Sequence, residues 1–137
     1  MAEREKIIID AENATLGRLA SYAAKQVIIG NEIVIINTEK AVITGSASFV
    51  KKDYAIRSSR RGSSMKGPII KTAPEQIMKR TIRGMLPKNA RGRELLKRVI
   101  CYNSDAGLKA KIKSGKLKVL KYIRLDELAR SLGRNTK

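Results

Sequence analysis

Apolar residues fall along the chain in two alternating rhythms. Ile7-Ile8-Ile9-Asp10 is a short β-branched run, the pattern of a buried strand. Past Thr15, which can cap a helix, Leu16, Leu19, Ala20, Ala23, Ala24 and Val27 recur at i, i+3, i+4, i+7, i+8 and i+11, a single apolar stripe. Gly30 suits the end of that helix because it tolerates positive φ. Ile33-Val34-Ile35-Ile36 and Ala41-Val42-Ile43-Thr44 read as the second and third strands. Strand, helix, strand predicts a βαβ unit with its first two strands parallel and its crossover right-handed.

Gly45-Ser46 opens a second helix, with Phe49, Val50 and Tyr54 expected to face inward. From Arg57 to Gly67 the sequence RSSRRGSSMKG has no period and no apolar anchor, so it is expected to be a mobile loop that orders only on a partner. Thr72-Ala73-Pro74-Glu75 has the form of a capping box. In the helix that follows, Ile77, Met78, Ile82, Met85 and Leu86 share one half of the wheel, and Lys79, Arg80 and Arg83 the other. Pro87 ends it. Asn89 can cap a further helix, with Leu95, Leu96, Val99 and Ile100 as its stripe. A lysine-rich loop is expected from Asn103 to Lys118, a last strand from Lys118 to Ile123 and a closing helix from Asp126 to Leu132, ending at Gly133. The tail 134–137 should fray.

Charge changes the picture more than length does. At 137 residues the chain reads as one domain, 1–137, large enough for a core without metal or disulfides. The net charge is +18, and it is segregated. Up to Val50 there are five basic and six acidic residues, whereas the block 51–118 has twenty and four. Repulsion within such a block is relieved by a polyanion, and nucleic acid is the obvious one. A membrane surface fits less well, because no basic helix shows a bulky aromatic face. No apolar run reaches the roughly 18 residues that span a bilayer. Met1 to Lys6 has no signal-peptide pattern, so a cytoplasmic location is expected.

Catalytic chemistry has little to work with. There is no histidine, and the single cysteine, Cys101, allows no internal disulfide and no cysteine-based zinc site. It is expected to be a small buried or partly buried hydrophobe. Asp10 with Glu12 and Glu39 could hold Mg²⁺ beside a basic groove, as a nuclease would, but caps and local ion pairs explain the three carboxylates more simply. Thr44-Gly45-Ser46 lacks a phosphate-loop pattern and reads as a plain strand-to-helix turn. No catalytic residue, metal, cofactor or small-molecule substrate is therefore expected. Four tyrosines and one phenylalanine are too few for a single-strand stacking platform, and no zinc-finger, RRM or KH pattern occurs. Backbone and shape recognition of folded RNA suits this composition, which by itself leaves duplex DNA open.

Three stretches narrow the choice. DAENATLGRLAS (Asp10 to Ser21), NTEKAVITG (Asn37 to Gly45) and RTIRGMLP (Arg80 to Pro87) followed by Arg91-Gly92 resemble, in order and spacing, the family of the thirteenth protein of the large ribosomal subunit. The likeness runs from about Ile7 to Gly133, with Arg83 to Pro87 its most specific piece. Tyr54 stands where that family often has a tyrosine, and LDELARSLG resembles its closing helix. Lys88-Asn89 after the proline is closer to bacterial usage, and Tyr102-Asn103-Ser104-Asp105 replaces a Tyr-x-Gly turn. The bacterial His-Pro-His segment is missing, and the balance leans to the archaeal branch.

The resemblance implies a three-layer α/β/α single domain with a four-stranded, mainly parallel sheet. It implies a cytoplasmic structural protein of the large subunit, active in early assembly, whose partners are large-subunit rRNA and neighbouring ribosomal proteins. Some relatives suggest a different role, translational regulation through mRNA binding away from the ribosome. The resemblance sets the Arg83–Pro87 segment and its flanking cations against RNA. With the basic block, the candidate RNA-binding residues are Lys51, Lys52, Tyr54, Arg57, Arg60, Arg61, Lys66, Lys71, Lys79, Arg80, Arg83, Gly84, Lys88, Arg91, Arg93, Lys97 and Arg98.

Overall fold

The computed structural model describes residues 5–59, 73–104, 107, 108, 110, 112, 113 and 121–132. Strand β1 (Lys6–Asp10), helix α1 (Leu16–Ile29) and strand β2 (Glu32–Ile36) form the expected βαβ unit, and β1 and β2 pair in parallel with Ile7 opposite Ile33 and Ile9 opposite Ile35. All six residues of the α1 stripe are buried. They meet Ile7, Ile9, Ile33 and Ile35 in one core, and each large side chain removed from water there contributes about 1.5–3 kcal/mol. Gly30 ends α1 with φ 123°, its N–H reaching the carbonyls of Gln26 and Val27.

The chain is mixed α/β, but its sheet departs from the expected single four-stranded layer. Asn37 takes a left-handed conformation (φ 57°), and a 3₁₀ turn, Thr38–Lys40, follows it. That turn carries the chain away from β2, so β3 (Val42–Thr44) pairs antiparallel with β6 (Tyr122–Arg124) as a separate ladder. The central sheet, with β4 (Val99–Cys101) and β5 (Ile112–Lys113) at its edges, has the order β4-β2-β1-β5, all parallel. Its substance is three strands, because β5 is only Ile112–Lys113. Helices α3 (Pro74–Met85) and α4 (Ala90–Leu96) join α1 on one face. Helices α2 (Ala47–Ser59) and α5 (Leu125–Ser131) pack on one another and on β6 instead of lying across the sheet as a third layer.

Further boundaries differ for local reasons. β4 (Val99–Cys101) falls where the stripe Leu95, Leu96, Val99, Ile100 predicts continued helix. The helix stops at Leu96, and the β-branched pair Val99-Ile100 adds to β2 instead, opposite Ile33 and Val34. β5 sits in the segment read as loop. Helix α2 runs through Arg57 to Ser59, two residues past the expected start of the mobile loop; 60–67 lies outside the described residues, as do 118–120 of the expected last strand, Thr72, Gly133 and the tail. Val50 is buried and Tyr54 packs against the core, but Phe49 is 69% exposed, the reverse of its expected inward position. Met85 is likewise exposed, while Ile77, Met78, Ile82 and Leu86 are buried as expected.

Among the described residues, one polar side chain is fully buried, that of Thr38. Its N–H donates to the Tyr102 carbonyl (3.1 Å). Its hydroxyl lies 3.1 Å from that carbonyl and 3.0 Å from Asn103 Oδ1, so one proton serves two acceptors. Asn103 Oδ1 also accepts the Glu75 N–H (3.2 Å) in the first turn of α3. The N-cap position of α3 is Ala73, whose methyl cannot cap; the cap expected from its own sequence is supplied by Asn103, from beyond β4. Thr38→Val should cost about 1–3 kcal/mol by stranding buried polar groups. Asn103→Ala should cost about 0.5–2 kcal/mol through loss of the cap. Urea unfolding checks both: the midpoint falls while the slope of free energy against urea stays constant.

Candidate nucleic-acid interface

The corner between α3 and α4 is built by three backbone devices. Leu86 leaves the helix with extended backbone (φ −93°, ψ 160°), its N–H still bonded to the Arg83 carbonyl. Pro87 cannot continue a helix. Asn89 then caps α4 as its sequence predicts, its Oδ1 accepting the Gly92 N–H at 3.1 Å. Gly92 is buried against Pro87, and a Cβ built there would overlap the Pro87 carbonyl oxygen. Only glycine lets the first turn of α4 close on the proline.

An open groove of about 640 Å³ lies along this corner. Leu86, Pro87, Gly92 and Leu96 supply its apolar part, and Arg80, Arg83, Lys88 and Arg93 its cations, with Gly84 and Asn89 between them. Among the described residues no carboxylate lines it. Arg83, Lys88 and Arg93 are exposed, so their charge meets whatever enters. Guanidinium groups suit phosphate because their planar forks donate two hydrogen bonds at once. Gly84 is exposed within α3, and beyond its own helix turn no described residue lies within 4 Å of where its Cβ would be.

The other candidates are distributed differently. Lys51 pairs with Glu127 at 3.3 Å, tying α2 to α5, and Lys52 is exposed one residue on. Arg57 pairs with Asp53 at 2.8 Å and lies 5.5 Å from the centre of the Tyr54 ring. Burial pushes the Tyr54 hydroxyl above its ordinary range, with Asp53 adding and Arg57 and Arg80 opposing. Tyr54 is thus a half-buried wall residue. Arg91 and Lys97 are exposed off the groove, and Lys79 and Arg98 are half-buried. Arg60, Arg61, Lys66 and Lys71 lie outside the described residues. Asn89 and Gly92 belong to the site without having been named for it. The Pro-x-Asn-x-x-Gly spacing, a helix stop followed by a cap and a small residue one turn on, was the available signal.

Of the carboxylates considered for metal, Asp10 is engaged in a turn. Asp10 Oδ1 accepts the Glu12 N–H (2.9 Å) and the Asn37 side-chain amide (3.1 Å). Among the described residues, no three His, Cys, Asp or Glu side chains converge as a metal site would require. Among them, too, no helix is long and apolar enough to cross a membrane. Cys101 is half-buried, and burial pushes its thiol up to about 12, with Glu75 adding and Lys79 opposing.

Comparison with known proteins adds a consistent set of likenesses. The family described as ribosomal protein L13 matches residues 4–107. Large ribosomal subunit protein uL13 of Methanopyrus kandleri is 41% identical over 140 residues, covering 94% of this chain and 87% of the relative. The uL13 protein of Methanocaldococcus jannaschii is 45% identical over 133 residues, covering 92% and 96%. That of Methanosarcina barkeri is 42% identical over 139 residues, with the same coverage. All three are archaeal, the branch toward which the sequence leans.

Two outcomes follow from the site's construction. Gly92→Ala should lower stability by roughly 1–3 kcal/mol, the cost of overpacking, read from the urea midpoint. Cys101 should resist alkylation by iodoacetamide at pH 8 in the folded protein and react readily in 6 M guanidinium, because the buried thiol stays protonated.

Proposed function

The chain belongs to the ribosomal protein L13 family of the large ribosomal subunit, and on that premise we propose that it holds large-subunit rRNA in the groove between α3 and α4. Proteins of this family are structural parts of a ribonucleoprotein that serves translation, not enzymes. The observation that carries the reading is a groove lined, among the described residues, by four cations and no acid, built on a corner fixed by Pro87, Asn89 and Gly92.

Gly84 supports the same reading. A helical glycine is less stable than alanine by up to about 1 kcal/mol, and the described residues give no steric reason for it. A surface that approaches the helix closely from outside supplies one. RNA backbone does so, with Arg83 and Arg93 on either side to neutralise its phosphates. The rest of the basic block, 51–118, widens the contact, and Lys52 and Arg91 are its exposed outliers. In this role the single domain, 1–137, works in the cytoplasm. It bridges rRNA segments beside neighbouring ribosomal proteins and biases the RNA toward its assembled fold early in subunit assembly. No cofactor or small-molecule substrate takes part.

Replacing Arg80, Arg83, Arg91 and Arg93 with Ala should flatten the log–log salt dependence of rRNA binding, each lost phosphate contact removing roughly 0.7–0.9 of slope. Unchanged slope and affinity would contradict the assignment. Gly84→Ala should separate two properties: stability of the free protein rises by up to about 1 kcal/mol, while rRNA affinity falls. Sedimentation at moderate salt should place the bulk of the protein in large subunits. A mostly free pool would point instead to regulation of an mRNA away from the ribosome.

A further inference from the structure

We propose that the outward face of α1 is a second rRNA-binding surface, built from Gly17, Arg18, Ser21, Tyr22 and Lys25. This rests on the reading above and adds a site within residues 1–50, whose overall charge is close to neutral. Helix α1 contains no acidic residue. Its buried stripe leaves Gly17, Arg18, Ser21, Tyr22 and Lys25 in the same half of the helical wheel, and all five are exposed. Neither Arg18 nor Lys25 has an ion-pair or hydrogen-bond partner among the described residues.

Gly17 repeats the circumstance of Gly84. It is helical and exposed, and beyond its own helix turn a Cβ would meet no described residue within 4 Å. Within the protein it only weakens the helix; toward an outside surface it permits close approach. Arg18 beside it and Lys25 two turns on supply the countercharge, while Ser21 and the Tyr22 hydroxyl can bond phosphate or the 2′-OH. Helices α1 and α3 lie side by side on the same face of the sheet, so their outer sides look the same way. An RNA lying over Arg83 and Gly84 has a neighbouring track along α1. The far end of α1 is different: Ile28 and Ile29 are exposed and apolar, the chemistry of a protein contact. The cations and the glycine gather in the first three turns, which favours RNA there.

The test measures binding of the full chain to a large-subunit rRNA transcript across a salt series, with thermal melting as a check on folding. Arg18→Ala with Lys25→Ala should make the salt slope shallower by about 1 per cation, in addition to the change from Arg83→Ala with Arg93→Ala. Gly17→Ala should weaken binding without lowering the melting temperature. An effect of the α3–α4 pair with none from the α1 variants would overturn this proposal and leave the groove assignment standing; no effect from either would overturn both. A slope change of the same size per cation from Lys6→Ala, exposed at the start of β1, would mean that net charge is read and not this face. Normal rRNA affinity with reduced incorporation of the Arg18/Lys25 variant into subunits would give the face to a neighbouring protein, again against the proposal.

Discussion

The buried hydroxyl of Thr38 is the constraint on which the arrangement depends. It lies where the chain leaves the parallel sheet, in the 3₁₀ turn after β2, and it bonds to the residues that follow β4. Through Asn103 the same node caps α3. The sheet, the exit turn and the start of the cationic helix are thus locked by one cluster of hydrogen bonds in an apolar setting. There an unmet polar group is costly, so geometry is tightly specified. Rotation or slippage of α3 would move Arg80, Arg83 and Gly84 relative to Pro87 and α4, and the groove would lose its shape. A second clamp holds the far side. Arg124 reaches the Lys40 carbonyl and Asn13 Oδ1, joining β6 to the turns that follow β1 and β2.

Core and charge are therefore two sides of the same helices. Ile77, Met78 and Ile82 anchor α3, and Leu95 anchors α4, in a core shared with α1. That anchoring offsets the repulsion among Arg80, Arg83, Lys88 and Arg93 in the absence of a partner, repulsion that a polyanion would relieve. A disordered basic arm could carry the same charge, but it would lose conformational entropy on binding. A groove with a fixed corner has already met most of that cost in folding.

Much of this was legible in the amino-acid sequence, and the failures have physical causes. The α1 stripe and the strands on either side are strongly periodic, and they formed where the pattern put them. Asn89 capped its helix because the cap is local, three residues from its partner. The cap of α3 is not legible from local sequence because its acceptor comes from Asn103, 28 residues beyond Glu75, and no local pattern carries that information. Val99-Ile100 continued a helical stripe by spacing alone, since a short apolar run fits either period; a vacant place beside β2 decided for strand. Phe49 was assigned inward on hydrophobicity, yet Val50 and Tyr54 already fill that side of α2. At the site, charge density located the region, but which cations share a groove depended on the Gly92–Pro87 contact, and only packing reveals it.

The central claim is that RNA lies on the α3–α4 corner. Amide hydrogen exchange of the full chain, with and without large-subunit rRNA, reads this most directly. RNA lying there gives RNA-dependent protection at the amides of 83–93, with the amides of β2, already deep in the core, unchanged. Protection confined to other segments, with 83–93 exchanging equally in the free and bound protein, would contradict it.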